Sequence, residues 1–438
     1  MLILADDMNK DSAGVYGNTD VETPNIDRLA KEGMLFNNAY TSTAMCTPTR
    51  VQLFTGLYPF SSGSWANHGY VEKGTQSIGQ YLGGLGYRVG IHGKRHVGPG
   101  DSFPFEGIGD NRGADYMRQP TNWISRGGPW CMIFASNVPH LPWSSGNYKK
   151  VHDPATFNVL PYLYDTPQQR KSMQAYYAEV AELDDQVGEV DKLLKRENME
   201  SNTLMIFTTE QGAALPGCKW ELWECGINVG FIARWPGVIR PGAVSNAMVH
   251  YVDVVPTLID VAGGDLDRYA LSGTSFAKVL QGASDTHNRF TYGVHSDKRR
   301  LENGYNIRSV REGNWKFIMW INYQKLTGHA TAGGDDYNSW LSASRVNRTG
   351  QAAKLIRRHR CRPPEALYDL TEDPYELNNL ARNPTAAAKE TINTLKTELN
   401  RWMVSQGDNV VSIVGDHYSG TRCINYFDQA GKDVWSEY

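Results

Sequence analysis

The chain has 438 residues, 40% of them apolar, and a formal net charge of −3. That length supports a large core in one or two domains. The near-neutral charge excludes a general electrostatic pull toward nucleic acid or a membrane surface, and no apolar run reaches the ~18 residues of a membrane span, so neither a nucleic-acid partner nor a span is expected.

The opening residues, MLILADD, lie directly inside an apolar strand with no turn residues before it. This predicts an export signal upstream and a periplasmic or extracellular location. The strand, LILA over 2–5, is closed by Asp6 and Asp7. Thr23-Pro24 then opens a helix that Gly33 closes. Over 44–56, AMCTPTRVQLFTG, Cys46 precedes Thr47, Pro48, Thr49 and Arg50. Locally this reads as a helix N-terminus, with Thr47 or Thr49 as cap and Pro48 in the first turn. Buried strands are predicted over 87–93, 130–136, 203–209 and 229–235, and helices over 77–86, 168–198 and 251–263. This alternation predicts an α/β fold whose large, mostly parallel sheet is sandwiched by helices.

After residue 285 the pattern changes. Runs over 289–296 and 306–321, with Glu312-Gly313-Asn314 as the turn, predict a smaller antiparallel sheet. A basic stretch over 345–362 reads as a solvated helix face in preference to a sulfate- or glycan-binding one. A helix over 385–404 follows. The expected division is a catalytic α/β domain, 1–285, and a C-terminal α+β subdomain, 286–438. The six cysteines include no CxxC pair. Cys131 reads as a buried small hydrophobe, and Cys361 and Cys423 as a candidate disulfide in an exported chain.

Ligands of parallel sheets bind outside the carboxyl ends of the strands. The polar residues expected there are Asp6, Asp7, Lys94, His96, His140, Glu210 and Gln211, with Lys219 and Glu224 in the following loop. Each alone reads as a turn, cap or surface residue. Together the oxygens suit Ca²⁺ or Mg²⁺ and not zinc. The lysines, histidines and Arg50 make an electropositive wall suited to a tetrahedral anionic ester, sulfate or phosphate.

CTPTR fits the pattern C-x-P-x-R. LILADD, TPNIDRLAKEG, LFTGLYP, GYRVGIHGKRHVG, ARWPGVIRPG, VDVVPTLIDVAG and LYDLTEDPYELNNLA accompany it in order. With these motifs the chain resembles the type I sulfatases of the alkaline-phosphatase-like superfamily, from residue 2 to about 382. GKRHVGP followed by PFEG is closest to the heparan N-sulfatase branch and related bacterial polysaccharide sulfatases. The resemblance implies that a formylglycine-generating or other sulfatase-maturing enzyme oxidises Cys46 to Cα-formylglycine, whose hydrate is the nucleophile. It implies Ca²⁺ held by Asp6, Asp7, Glu210, Gln211 and modified Cys46. It further implies that Arg50 orients the formylglycine, Lys94 and Lys219 bind sulfate, His96 is a base and His140 protonates the leaving oxygen. The substrate implied is a sulfated saccharide, attacked by exo action. His68, Trp65 and His295, with the run over 297–300, are candidates for the outer pocket. One departure is Thr-Glu-Gln-Gly, 209–212, where the family usually has Ser-Asp-His-Gly or Ser-Asp-Asn-Gly. Two other readings stay open: a phosphodiester or phosphonate monoester hydrolase of the same fold, and a non-catalytic glycan-binding protein on this scaffold.

Overall fold

A computed structural model describes residues 1–113, 115–323, 331 and 333–414. Nine strands, β1 (Leu2–Ala5), β2 (Met34–Tyr40), β3 (Arg88–Gly93), β4 (Glu106–Gly109), β5 (Trp130–Ala135), β6 (Met205–Thr209), β7 (Asn228–Arg234), β8 (Ala243–Ser245) and β9 (Val249–His250), form one sheet. β4, β3, β5, β1 and β6 are parallel neighbours in that order. Their residues alternate between two cores. Ile3, Met132, Phe134 and Phe207 face one, and Leu2, Leu4, Ile133 and Ile206 face the other. Both faces are dry, which is why these strands read as unbroken apolar runs. Cys131 is in the core, as its setting predicts.

β7 departs from the parallel expectation. It is antiparallel to β6 and to β2. A parallel partner needs a long crossover, usually helical. The connection over 210–227 carries only the short helix Glu224–Ile227, so the chain turns back at the same edge. An apolar run reports burial on both faces and not strand direction. β8 and β9 pair parallel with β2 on the far side.

Helices Pro24–Glu32 and Pro167–Arg196 cover one face, and helices Cys46–Thr55, Ile78–Gly83 and Val254–Val261 the other. The first two are joined by Asp184. Its carboxylate accepts from the Asn25 amide (2.8 Å), the Ile26 amide (2.9 Å), Asn25 Nδ2 (2.9 Å) and Lys150 Nζ (2.9 Å). Thr23, at the helix entry, makes no capping bond of its own, so the cap comes from the neighbouring helix.

The smaller sheet has β10 (Phe290–Ser296), β11 (Asn306–Glu312), β12 (Trp315–Trp320) and β13 (Glu365–Asp369), all antiparallel in that order. Gly313, at φ 54°, makes its predicted hairpin turn. Helix Ala386–Ser405 packs Leu395, Leu399 and Trp402 on one face of this sheet. The other face meets Tyr40, Trp223 and Ile227. The basic stretch is not simply a solvated face. Helix Gln351–Arg360 buries Leu355, Ile356 and His359, Arg358 lies 3.6 Å from the Trp223 ring centroid, and Arg362 pairs with Glu221. Guanidinium groups stack on aromatic faces and satisfy buried carboxylates, so charge alone does not expose them. The Cys361–Cys423 pairing lies outside the described residues at Cys423. Among the described residues no helix is long and apolar enough to cross a membrane.

Asp184→Ala strands two first-turn amides of helix Pro24–Glu32 without their acceptor. It should lower stability by about 2–4 kcal/mol, read as a drop in the thermal unfolding midpoint by calorimetry. An unchanged midpoint would show that the interhelical cap contributes nothing.

Candidate active site

β1 ends in Asp6 and Asp7, both buried, and Asp7 turns the chain with φ 57°. Helix Cys46–Thr55 is wholly buried and begins at Cys46, with Met45 in the capping position. Neither Thr47 nor Thr49 is its cap, contrary to the local reading. Thr49 Oγ1 instead donates to Thr43 O (2.6 Å), and the Thr47 amide donates to Asn67 Oδ1 (3.1 Å). Pro48 does lie in the first turn. Cys46, 2% exposed, is thereby fixed at the end of the helix nearest Asp7.

Arg50, one turn on, is fully buried and ties three strand ends together. Its Nε donates to Glu210 Oε1, its Nη1 donates to Lys94 O (2.6 Å), and its Nη2 lies 3.7 Å from Asp6 Oδ1. Lys94 Nζ donates to Asp6 Oδ2 (2.6 Å) and Lys219 Nζ to Asp7 Oδ2 (2.5 Å). Gln211 Nε2 reaches Asp7 Oδ1 (2.6 Å), Glu210 Oε2 (3.0 Å) and Cys46 Sγ (3.4 Å). Gly212 follows because a Cβ there would lie 1.9 Å from Cys225 O.

The donor set fits a hard divalent cation. Asp6, Asp7, Cys46 and His140 bring potential ligand atoms within 4.8 Å of one another. Asp6 Oδ1 and Gln211 Oε1 are buried and accept no hydrogen bond. Burial, then the charge of Glu210, raises the Asp6 pKa well above the usual carboxylate range. For Glu210 burial acts in the same sense, but Arg50 and Lys94 outweigh it and hold the pKa down. Buried carboxylate and amide oxygens with lone pairs to spare are what Ca²⁺ or Mg²⁺ binds.

His140 Nε2 stands 3.4 Å from Lys219 Nζ and 3.5 Å from Asp7 Oδ2. Its Nδ1 is 2.5 Å from Leu141 O, an acceptor, which assigns the proton to Nδ1. Burial, then Lys219 and Lys94 against Asp7, lowers its pKa. His96 has φ 48°, and its Nε2 is 2.9 Å from His68 Nδ1. Burial, then Lys94, brings its pKa down to about 4, so it is neutral at neutral pH. A cavity of ≈ 910 Å³ opens on Asp6, Lys94 and His140 and is lined also by Asn137, Glu179 and Glu182.

The structure thus brings together Asp6, Asp7, Cys46, Arg50, Lys94, His140, Glu210, Gln211 and Lys219, with His96 and His68 adjoining. His295 is buried on β10, its ring 6.5 Å from that of Trp220, the neighbour of Lys219. Trp65 stands apart, stacked on Phe60 at 4.9 Å and donating to Lys298 O (3.3 Å). Glu224 turns away from the cluster toward Arg311 and Lys316. Sequence reasoning missed Glu179. Its only signal is a carboxylate within the buried stretch Tyr176–Ala181.

The family described as Sulfatase matches residues 1–125 and 121–264, and that described as N-sulphoglucosamine sulphohydrolase, C-terminal, matches residues 219–328. An ulvan-active sulfatase of Formosa agariphila is 33% identical over 92% of this chain and 80% of its own length. The human N-sulphoglucosamine sulphohydrolase is 27% identical over 92% of this chain and 89% of its own. Among solved structures, one in complex with its substrate D-glucosamine-2-N,6-O-disulfate has a TM-score of 0.72 at 17% identity, covering 95% of this chain and 99% of that one. The phosphonate monoester hydrolase of Agrobacterium radiobacter also has a TM-score of 0.72, at 18% identity, covering 92% and 95%. At these identities the structural likeness speaks for the fold.

Burial, then Glu210 and Asp7, pushes the Cys46 thiol pKa far up, so the folded, unmodified chain holds it as an unreactive thiol. At about pH 8 iodoacetamide should leave Cys46 unlabelled in the folded chain and label it fully after denaturation, as read by peptide mass spectrometry. Prompt labelling of the folded chain would contradict this.

Proposed function

This chain belongs to the sulfatase family, the sulfuric ester hydrolases, and from that premise we propose that it removes a sulfate ester or N-sulfate from a saccharide by exo action. The observation that carries the proposal is the convergence of Lys94 on Asp6 and of Lys219 and His140 on Asp7, next to a cavity of saccharide size that Asp6, Lys94 and His140 line. The human relative named for a sugar sulfate supports it.

Asp6, Asp7, Glu210 and Gln211 would hold Ca²⁺, with Mg²⁺ as the alternative. The longer arms of Glu210 and Gln211 keep the charge and donor type of a shorter ligand pair. When bound, the ion supplies Lewis acidity, and formylglycine made from Cys46 by a maturing enzyme supplies a nucleophilic oxygen that the raised thiol does not. The ammonium groups of Lys94 and Lys219 bind sulfate oxygens and favour the charge that develops on them. Arg50 fixes residue 46 relative to Glu210 and Lys94. His140 holds its Nδ1 proton on Leu141 O and turns Nε2 toward Lys219 and Asp7; once a second proton is on Nε2, the imidazolium gives that proton to the departing saccharide oxygen and returns to the neutral ring. His96, kept neutral, is the proton acceptor on the Lys94 side.

The matured chain should release sulfate from defined sulfated oligosaccharides and not phosphate from phosphodiesters or phosphonate monoesters. The reverse selectivity would assign it to the other ester class. Its peptide over 44–56 should carry formylglycine, and Cys46→Ala should abolish turnover.

His140→Ala should reduce kcat on sugar sulfates about 10²–10⁴-fold but on 4-nitrophenyl sulfate about tenfold or less, because a phenolate departs with little help. Equal losses would give His140 another role. Glu210→Gln should weaken Ca²⁺ binding about tenfold or more, with activity recovered by raising Ca²⁺. Unaltered Ca²⁺ affinity, measured by calorimetry, would remove Glu210 from the ligand set.

A further inference from the structure

The cavity is lined by groups of opposite character. Lys94 and His140 stand at its head, where sulfate is handled. The same lining includes Glu179, Glu182 and Asp185, from successive turns of helix Pro167–Arg196. Asp185 is neutralised in part, since its Oδ1 receives Lys150 Nζ (2.7 Å) and its Oδ2 receives Asn147 Nδ2 (2.9 Å). The other two meet neutral donors. Glu179 Oε1 accepts from the Ser144 amide (3.0 Å), the Ser145 amide (3.2 Å) and Ser145 Oγ (3.2 Å). Glu182 Oε2, at 2.9 Å, shares that single Ser145 hydroxyl proton with Glu179. Glu179 is 2% exposed, and its Oε2 has no hydrogen-bond donor. Besides Lys94, the lining carries the cation Arg112, which is exposed.

A buried acceptor without a donor is costly, and it points to a ligand group that supplies one. A sugar hydroxyl or an ammonium does so. A second sulfate or a carboxylate brings only more acceptors and more negative charge into a wall already negative, and like charges in a desolvated site repel strongly. Resting on the sulfatase reading above, we infer that Glu179 and Glu182 are specificity-determining residues: the saccharide unit in this cavity carries hydroxyl or ammonium groups, and no second anionic group, on the side that faces helix Pro167–Arg196. The enzyme therefore acts on singly sulfated sugar units and refuses doubly anionic ones until another desulfating reaction has removed the extra charge.

The test is calorimetric binding to the full chain bearing Cys46→Ala, with Ca²⁺ present, so that no turnover interferes. Two probes share a ring and differ in one group: glucosamine 6-sulfate, with an ammonium at C2, and glucosamine-2-N,6-O-disulfate, with a second anion. The first should bind at least about tenfold more tightly. Whichever sulfate of the disulfate enters the head of the cavity, the other is the extra anion. In the same chain carrying Glu179→Gln and Glu182→Gln, whose amide oxygens can still accept from Ser144 and Ser145, the preference should fall to about threefold or less. Equal affinity for the two probes, binding of neither, or a preference that survives the double substitution overturns the inference. Release of sulfate from 4-nitrophenyl sulfate by the matured chain, measured separately, reports on the sulfatase reading itself.

Discussion

Asp6, Asp7 and Glu210 are taken out of water together at the ends of β1 and β6, and the fold around them is arranged to make that tolerable. Three cations compensate them, each from a different part of the chain: Arg50 from a helix, Lys94 from the end of β3, Lys219 from the loop after β6. A buried charge that loses its partner is worth several kcal/mol of destabilisation. Of these cations, Lys94 also lines the cavity, whereas Arg50 is wholly enclosed.

The smaller sheet takes part in this at one remove. The loop that carries Lys219 is held from the far side by Glu221, paired with Arg362, and by Glu224, which accepts from Arg311 Nη1 (2.8 Å), Lys316 Nζ (2.9 Å) and Tyr40 OH (2.8 Å). Arg311 and Lys316 sit on β11 and β12. The second sheet therefore clamps the loop whose lysine enters the site, and the basic stretch near residue 360 is part of that clamp.

Much of the first sheet was legible because its strands are buried on both faces and so appear as short apolar runs between helical patterns. The convergence of Asp6, Lys94, His140 and Glu210 followed from one rule, that parallel strands present their carboxyl ends at one edge. What escaped has a common cause. The direction of β7 is set by the length of its connection, the capping of Thr47 by Asn67 and of helix Pro24–Glu32 by Asp184 depends on chain segments distant in sequence, and Glu179 is one carboxylate among many on helix Pro167–Arg196. None of these leaves a local periodicity. Trp65 and Glu224 were drawn toward the site by their neighbours in sequence, whereas packing on Phe60 and ion pairs across to β11 and β12 decide where they sit.

Cys46 is 2% exposed, and the groups around it come from far along the chain: Asp7 and Gln211 are 204 residues apart, Asp7 and Lys219 212. On the proposed reading this imposes an order in time. During synthesis, the segment around residue 46 is complete long before Gln211 or Lys219 exists, and until they arrive β6 cannot close over it. An enzyme that must take hold of Cys46 has access in that interval and loses it when the sheet is finished. The burial that protects the mature nucleophile from side reactions also makes a late correction impossible, so a molecule that folds with its thiol intact stays inactive for as long as it remains folded.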